Sequence, residues 1–305
     1  MRSISLSAMS EYKLEQIERV RDLHYHRTPA LRLHTEEDAE RFVNEVGFCF
    51  LFGGQGAEIP TLWAAVCGAR REMPNTHHDA DIGRTWAWKD SLPARGAIFY
   101  GKLLRNKPTL VSLSLLPSFY ALSSNYGDPE DYLEQYEDGL LSVEAKNVYE
   151  VLLNEGAMAT SRLRQLAGLA GGGVNARRFD RAVAELQTEL KIAKVGISDA
   201  NRWGYAYVYD LFLRAFPQVP DAARKISTDE AMETLLLRYL HNVVAHTAAG
   251  TYRLFRWEKW EWDRLLDRLA DKGLIRRNVR IQGLSGDCLA TADLDRLVES
   301  SITER

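Results

Sequence analysis

The sequence predicts a mainly α fold with small β-hairpins, an α+β chain of tandem winged helix-turn-helix units. Three observations predict it. From Ser142 onward, three successive segments carry apolar residues at helical spacing, and glycines end the first two. Two β-prone stretches across a polar turn follow them directly. The same order of patterns recurs near the C-terminus and, in a more divergent form, near the front, although the residues themselves do not repeat.

In the middle unit Ser142 caps VEAKNVYEVLLNE, with Val148, Val151 and Leu152 on one face and Gly156 as a stop. Thr160 caps a short second helix carrying Leu163, Leu166 and Ala167, which Gly171, Gly172 and Gly173 terminate. The third helix places Phe179, Ala182, Val183, Leu186 and Leu190 at i, i+3, i+4, i+7 spacing. KIAKVGI and YAYVYDLF then read as a hairpin across the turn DANRWG. In the C-terminal unit a helix runs from Thr228 to about Ala245. A short segment around TYRLFRW, a helix ending at Gly273 and a hairpin of LIRRNVRI and CLATADL follow. At the front, EEDAERFVNEVG and PTLWAAVCG read as helices, and AIFYGKLL and TLVSLSLL as strands around Asn106, Lys107 and Pro108. The expected organisation is an N-terminal arm over 1–35, a divergent winged-helix-like unit over 36–141, and winged helices over 142–217 and 218–305.

At 305 residues and 46% hydrophobic, the chain can bury a core in each unit. No window reaches the apolar length of a membrane span, and Glu11, Lys13 and Glu15 stand where a signal peptide would be apolar. A cytoplasmic location with no membrane contact is expected. Cys49, Cys67 and Cys288 lack ligand spacing and are odd in number, so reduced core thiols are expected, with no metal and no cofactor. The oligomeric state is not encoded in these patterns, and a monomer is favoured.

A net charge of −3 does not mark a nucleic-acid binder, so such a role must rest on local asymmetry. Residues 128–155 hold nine acids and one base, and residues 156–225 hold eleven bases and six acids. One surface that repels phosphate and one that attracts it would follow, although solvated helix faces also produce charge runs. In the third helix Asn175, Arg177, Arg178 and Arg181 occupy the first two turns. Positive charge there opposes the helix macrodipole at roughly 0.3–1 kcal/mol each, so acids would be the easier choice. A helix-turn-helix presents these positions to base edges in the major groove of duplex DNA. The alternative is that Arg177, Arg178 and Arg181 pair with acids of the first helix or with Asp180. Arg162, Arg164, Lys191, Lys194, Arg202 and Trp203 are candidates for backbone contacts, the last two from the wing tip.

Residues 76–90 gather His77, His78, Asp79, Asp81, Arg84, Trp86, Trp88, Lys89 and Asp90. Polar groups around two tryptophans can stack on a base and hold a phosphate, and as a strand the segment would put Trp86 and Trp88 on one face. The competing reading is that the tryptophans close the core. Trp257, Trp260 and Trp262 read as core, with Trp257 and Trp260 on one helix face.

With SVEAKNVYEVLLNEGAMATSRLRQLAGL, RRFDRAVAELQ and TWAWKD, the order of elements resembles the winged-helix superfamily of AlkZ/YcaQ-type DNA glycosylases. More narrowly, it resembles the AlkZ-related proteins of bacteria. The resemblance spans most of residues 36–300. It implies tandem winged helices that cup duplex DNA, with DNA repair by removal of alkylated or crosslinked bases in some members. Those enzymes use a Gln-x-Gln or Gln-x-Asp motif after the first helix. Here the corresponding stretch is Phe48, Cys49, Phe50, Leu51 and Phe52, with Gln55 slightly later, and nothing in that run of five can orient or deprotonate water. The leading expectation is therefore a DNA-binding protein of tandem winged helices. A glycosylase would need its acid or base from Asp79, Asp81, Asp90, His77 or His78. A protein-interaction module would follow if the acidic 128–155 stretch faced the partner.

Overall fold

Residues 12–53, 56–75, 78–199 and 205–303 are described in a computed structural model. Three segments share one order of elements. The front segment has helices Glu36–Val46, Leu62–Cys67 and Ala80–Ala94 with strands Phe48–Phe50, Ile98–Lys102 and Pro108–Ser112. The middle has helices Val143–Glu155, Thr160–Leu166 and Val174–Thr188 with strands Met158–Ala159, Ile192–Ser198 and Ala206–Leu211. The third has helices Thr228–Val243, Ala248–Phe255 and Lys259–Asp271 with strands Ala245–Thr247, Ile275–Val279 and Cys288–Thr291. In each, the strand after the first helix pairs antiparallel with the last strand, which lies between it and the second. The hairpins were legible as apolar β-prone runs. The short first strands carry too few residues to show a period.

Each first helix starts on a hydroxyl that accepts a backbone N–H three residues on: Thr35 from Asp38 at 3.1 Å, Ser142 from Ala145 at 3.2 Å and Ser227 from Glu230 at 3.2 Å. These caps satisfy donors that the helix cannot pair internally. The middle segment has its own core around Val148, Leu152, Leu163, Phe179, Leu186 and Ile192. A second core joins the segments through Phe48, Phe99, Phe119, Tyr120, Phe212 and Leu236, with the Tyr120 ring stacked on Phe212 at 5.4 Å.

The first described residues belong to the far end of the chain. Tyr12 and Lys13 pair in parallel with Ile281 and Gln282, and helix Leu14–His24 buries Ile17 and Val20 against Val244, Val279 and Cys288. Arg21 of that helix is buried. Its Nε donates to the carbonyl of Val243 at 2.9 Å and its Nη2 to that of Ala245 at 2.6 Å. Its Nη1 pairs with Glu18 and, at 3.2 Å, with Glu58 of the front segment. Val244, between the two captured carbonyls, has φ of 63°, a conformation rare for a β-branched residue.

Two local expectations are corrected. Residues 80–94 form a helix, begun by the Asp79 carboxylate, which accepts the N–H groups of Asp81 at 2.9 Å and Ile82 at 3.1 Å. Residues two apart on a helix point to different faces, so Trp88 is buried while Trp86 is 45% exposed. Likewise Trp260 is 61% exposed under the Arg264 guanidinium, while Trp257 precedes the helix and stacks on Phe255 at 4.4 Å. Cys49, Cys67 and Cys288 are free and buried. No helix among the described residues is long and apolar enough to cross a membrane. Among the same residues no group of three His, Cys, Asp or Glu side chains could hold a metal ion.

Replacing Arg21 by Met leaves the Val243 and Ala245 carbonyls without this donor and removes the partner of Glu58. Urea unfolding is expected to show a loss of about 3–5 kcal/mol. An unchanged midpoint would contradict the role of this residue.

Candidate nucleic-acid interface

Helix Val174–Thr188 begins after Gly173, at φ of 59°, with no side-chain cap and no acid in its first turn. Asn175 Nδ2 donates to the Ala170 carbonyl at 2.9 Å and so closes the glycine-rich turn. Arg177, Arg178 and Arg181 are exposed on one side of the helix. Arg178 Nε meets Glu144 Oε1 at 2.6 Å, so the expected alternative of pairing with the first helix holds for this residue. Arg177 and Arg181 form no ion pair among the described residues, although Arg181 adds a longer-range attraction on Glu144. Arg162 is exposed and donates to Gln165 Oε1 at 3.1 Å. Arg164 donates to the Gly171 carbonyl and lies over the Phe179 ring at 5.6 Å.

The remaining basic candidates are placed differently. Lys191 and Lys194 are buried and cannot reach a phosphate in this conformation. Lys191 Nζ pairs one to one with Asp131 at 2.7 Å, and burial lowers its pKa. Arg202, Trp203 and His77 lie outside the described residues, as does Gln55. In the front segment His78 is exposed, while Asp79 and Asp81 are held by arginines. Asp79 pairs with Arg71, and Asp81 meets Arg32, Arg71 at 3.0 Å and Arg84 at 3.5 Å. These contacts tie down the helix start. Trp88 and Lys89, expected at the interface, are buried.

Asp90 joins two segments. Its Oδ1 accepts from Lys89 Nζ at 2.6 Å and from Lys194 Nζ, which projects from strand Ile192–Ser198 of the middle segment. The Tyr205 hydroxyl donates to Oδ2 at 2.9 Å, and Lys89 Nζ also reaches the hydroxyls of Tyr205 at 2.8 Å and Tyr207 at 3.0 Å. Lys89 Nζ faces the Trp86 ring at 4.6 Å, and Lys194 Nζ faces Tyr207 at 4.2 Å and Tyr100 at 4.9 Å. Despite the cost of burial, the two ammonium groups hold the Asp90 carboxyl below its ordinary pKa. Its expected role as a free acid or base is therefore not supported by its surroundings.

A cleft of about 500 Å³ opens between the front segment and the N-terminal helix, lined by Tyr25, Arg27, Phe52, Glu58, Trp63 and Arg70, among others. Strand Phe48–Phe50 is buried behind it, and Phe52 forms part of its wall, so the stretch matching the glutamine motif is core and wall. Glu58 is the carboxylate nearest in sequence to that stretch that lines the cleft. Arg21 holds its carboxylate, and the Tyr239 hydroxyl donates to its backbone carbonyl at 3.0 Å. The Tyr25 hydroxyl is buried without a hydrogen-bond partner, and burial pushes its pKa well up. Arg27 lies over the Tyr25 ring at 4.5 Å. Sequence reasoning missed Glu58, Tyr25 and Arg70, because segments far apart in the chain bring them together. Tyr205 and Tyr207 could have been noticed from the tyrosines at alternate positions of YAYVYD, which share one strand face.

The elements define a mainly helical α+β protein with three small antiparallel sheets and a basic helix face exposed on the middle segment. A family model described as AlkZ-related matches residues 33–256, and the chain belongs to that family. The fold is similar to that of Streptomyces sahachiroi DNA glycosylase AlkZ, with a TM-score of 0.57 at 13% identity. The match covers 95% of this chain and 72% of that one. No match was found among curated proteins.

Proposed function

We propose that this chain is a DNA-repair-type protein that binds duplex DNA through tandem winged helices, with the unit over 142–217 making the main contact. The observation that carries the reading is the exposed start of helix Val174–Thr188, where Arg177, Arg178 and Arg181 stand and the first turn holds no acid. Placing cations against the positive end of a helix is unfavourable for stability and suits an anionic partner. Arg162 extends the same face for backbone contacts. Arg178 exchanges Glu144 for a phosphate on binding, and such contacts fix register without reading sequence. Units over 36–141 and 218–305 flank this contact, with helix Leu14–His24 packed on the last.

Replacing Arg177 and Arg178 together by Ala is expected to weaken duplex binding and to reduce the slope of log affinity against log salt by roughly two. Unchanged affinity and slope in fluorescence polarisation would overturn the reading.

The cleft favours a second reading, a DNA glycosylase, which is the activity in the name of the structural relative. Its volume and its walls, Phe52, Trp63 and Tyr25, suit a base flipped out of the duplex. Glu58 then takes the part left open by the absent glutamine motif. Water bonds to the sugar C1′, its proton passes to Glu58, and the electrons of the glycosidic bond leave with the base. Glu58→Gln is expected to abolish base release from alkylated duplex while leaving duplex affinity within twofold. Undiminished release in that variant would remove Glu58 from the chemistry.

A further inference from the structure

The buried cluster at Asp90 holds one lysine more than a structural joint requires. The same chain builds an ordinary joint nearby, with buried Lys191 on buried Asp131, one charge to one. At Asp90 two ammonium groups share a single oxygen, and neither lysine side chain is more than 1% exposed. Both ammoniums protonated leave a net positive charge among Trp86, Tyr100, Tyr205 and Tyr207, and a net charge is expensive to bury. A neutral amine at one position removes that cost. A desolvated lysine beside a second cation is the arrangement that turns an amine into a nucleophile toward carbonyl groups.

We propose that Lys194 is an imine-forming amine that takes the aldehyde of a ring-opened abasic deoxyribose in DNA, with Lys89 and Asp90 as its positioning residues. The site rests on the duplex-binding reading above. The amine is buried among Asp90, Tyr100 and Tyr207, and the neighbouring Lys89 ammonium touches Tyr205 and Trp86, which are 37% and 45% exposed. A depression of about 290 Å³, lined by Thr160, Arg164, Tyr205 and Tyr207, reaches the same aromatic wall. Rotation of the Tyr205 ring away from Asp90 admits an aldehyde carried on a sugar-phosphate chain, and the exposed Trp86 face offers stacking to a neighbouring base.

The neutral Nζ of Lys194 bonds to C1′, and the proton released by nitrogen passes through solvent to the carbonyl oxygen. The C–O bond then breaks with a second proton from solvent, so that water leaves and a protonated imine remains, while Asp90 and Lys89 hold the amine in place. Burial, and then repulsion from Lys89, bring the pKa of Lys194 down to about 8, against the opposing pull of Asp90. The titratable groups around it are Lys89, Asp90, Tyr100 and Tyr207, with Tyr205 on the same Asp90 oxygen at 3.1 Å.

The test is borohydride trapping of the full chain with duplex carrying an abasic site, read as a covalent complex on a denaturing gel and mapped by mass spectrometry. An adduct on Lys194 is expected, with a yield that rises through about pH 8 and plateaus above it. Lys194→Met should lose it. That variant leaves Asp90 paired with Lys89, and its unfolding midpoint checks that it folds. Lys89→Met should move the rise to higher pH, because the repulsion that favours the neutral amine is gone, and a purely structural Lys89 would not shift it. Reductive labelling with propionaldehyde in the absence of DNA separates this idea from the binding reading. If Lys194 is not labelled ahead of surface lysines, the proposal fails whether or not duplex binds. If it is labelled but a bound abasic duplex gives no adduct, the assigned substrate is wrong, and if the adduct persists in Lys194→Met, the assigned amine is wrong.

Discussion

The arrangement depends on one guanidinium. Arg21 captures the carbonyls on either side of Val244, where the chain turns from helix Thr228–Val243 into its strand, and there a valine holds a backbone conformation normally left to glycine. The same group pairs with Glu18 in its own helix and Glu58 in the front segment. Three stretches of chain far apart in sequence thus meet on one buried cation. Its planar fork holds five donors in a fixed geometry, against three freely rotating donors on a lysine ammonium. The cleft that holds Glu58 exists because this joint sets the N-terminal helix against the front segment.

A second ionic joint, at Asp90, sets the front segment against the middle one, and the aromatic core around Phe99, Tyr120 and Phe212 fills the space between them. Apolar packing alone is tolerant of sliding, whereas buried ion pairs cost heavily when broken. Two such joints therefore fix where the cleft and the basic helix face stand on the same molecule. The proposed reading, a duplex held while one nucleotide is extracted, needs backbone contacts and pocket at a set separation.

Much of the fold was legible because periodicity is local. The first helix of each segment, the cap at Ser142, the glycine stops and the three hairpins all follow from spacing within a dozen residues. The exceptions have physical causes. Trp86 and Trp88 looked like one face of a strand, but Asp79 caps a helix there and sends them to different faces. Lys191 and Lys194 looked like surface charges, and only tertiary contacts with Asp131 and Asp90 show that they are buried. The N-terminal segment read as an arm or helix, and its packing into the core at the other end of the chain leaves no local pattern. The exposed arginines were legible because their positions on an amphipathic helix follow from its apolar side. Glu58 and Tyr25 were not, since a cleft between segments leaves no trace in either.

Polarisation of a labelled duplex with the unaltered protein, intact and with a tetrahydrofuran abasic analogue, across a series of salt concentrations, tests the central claim most directly. Tight binding that falls steeply with salt, and that favours the analogue, is the predicted result. Absence of binding to both duplexes at low salt, or an affinity indifferent to salt, would contradict it.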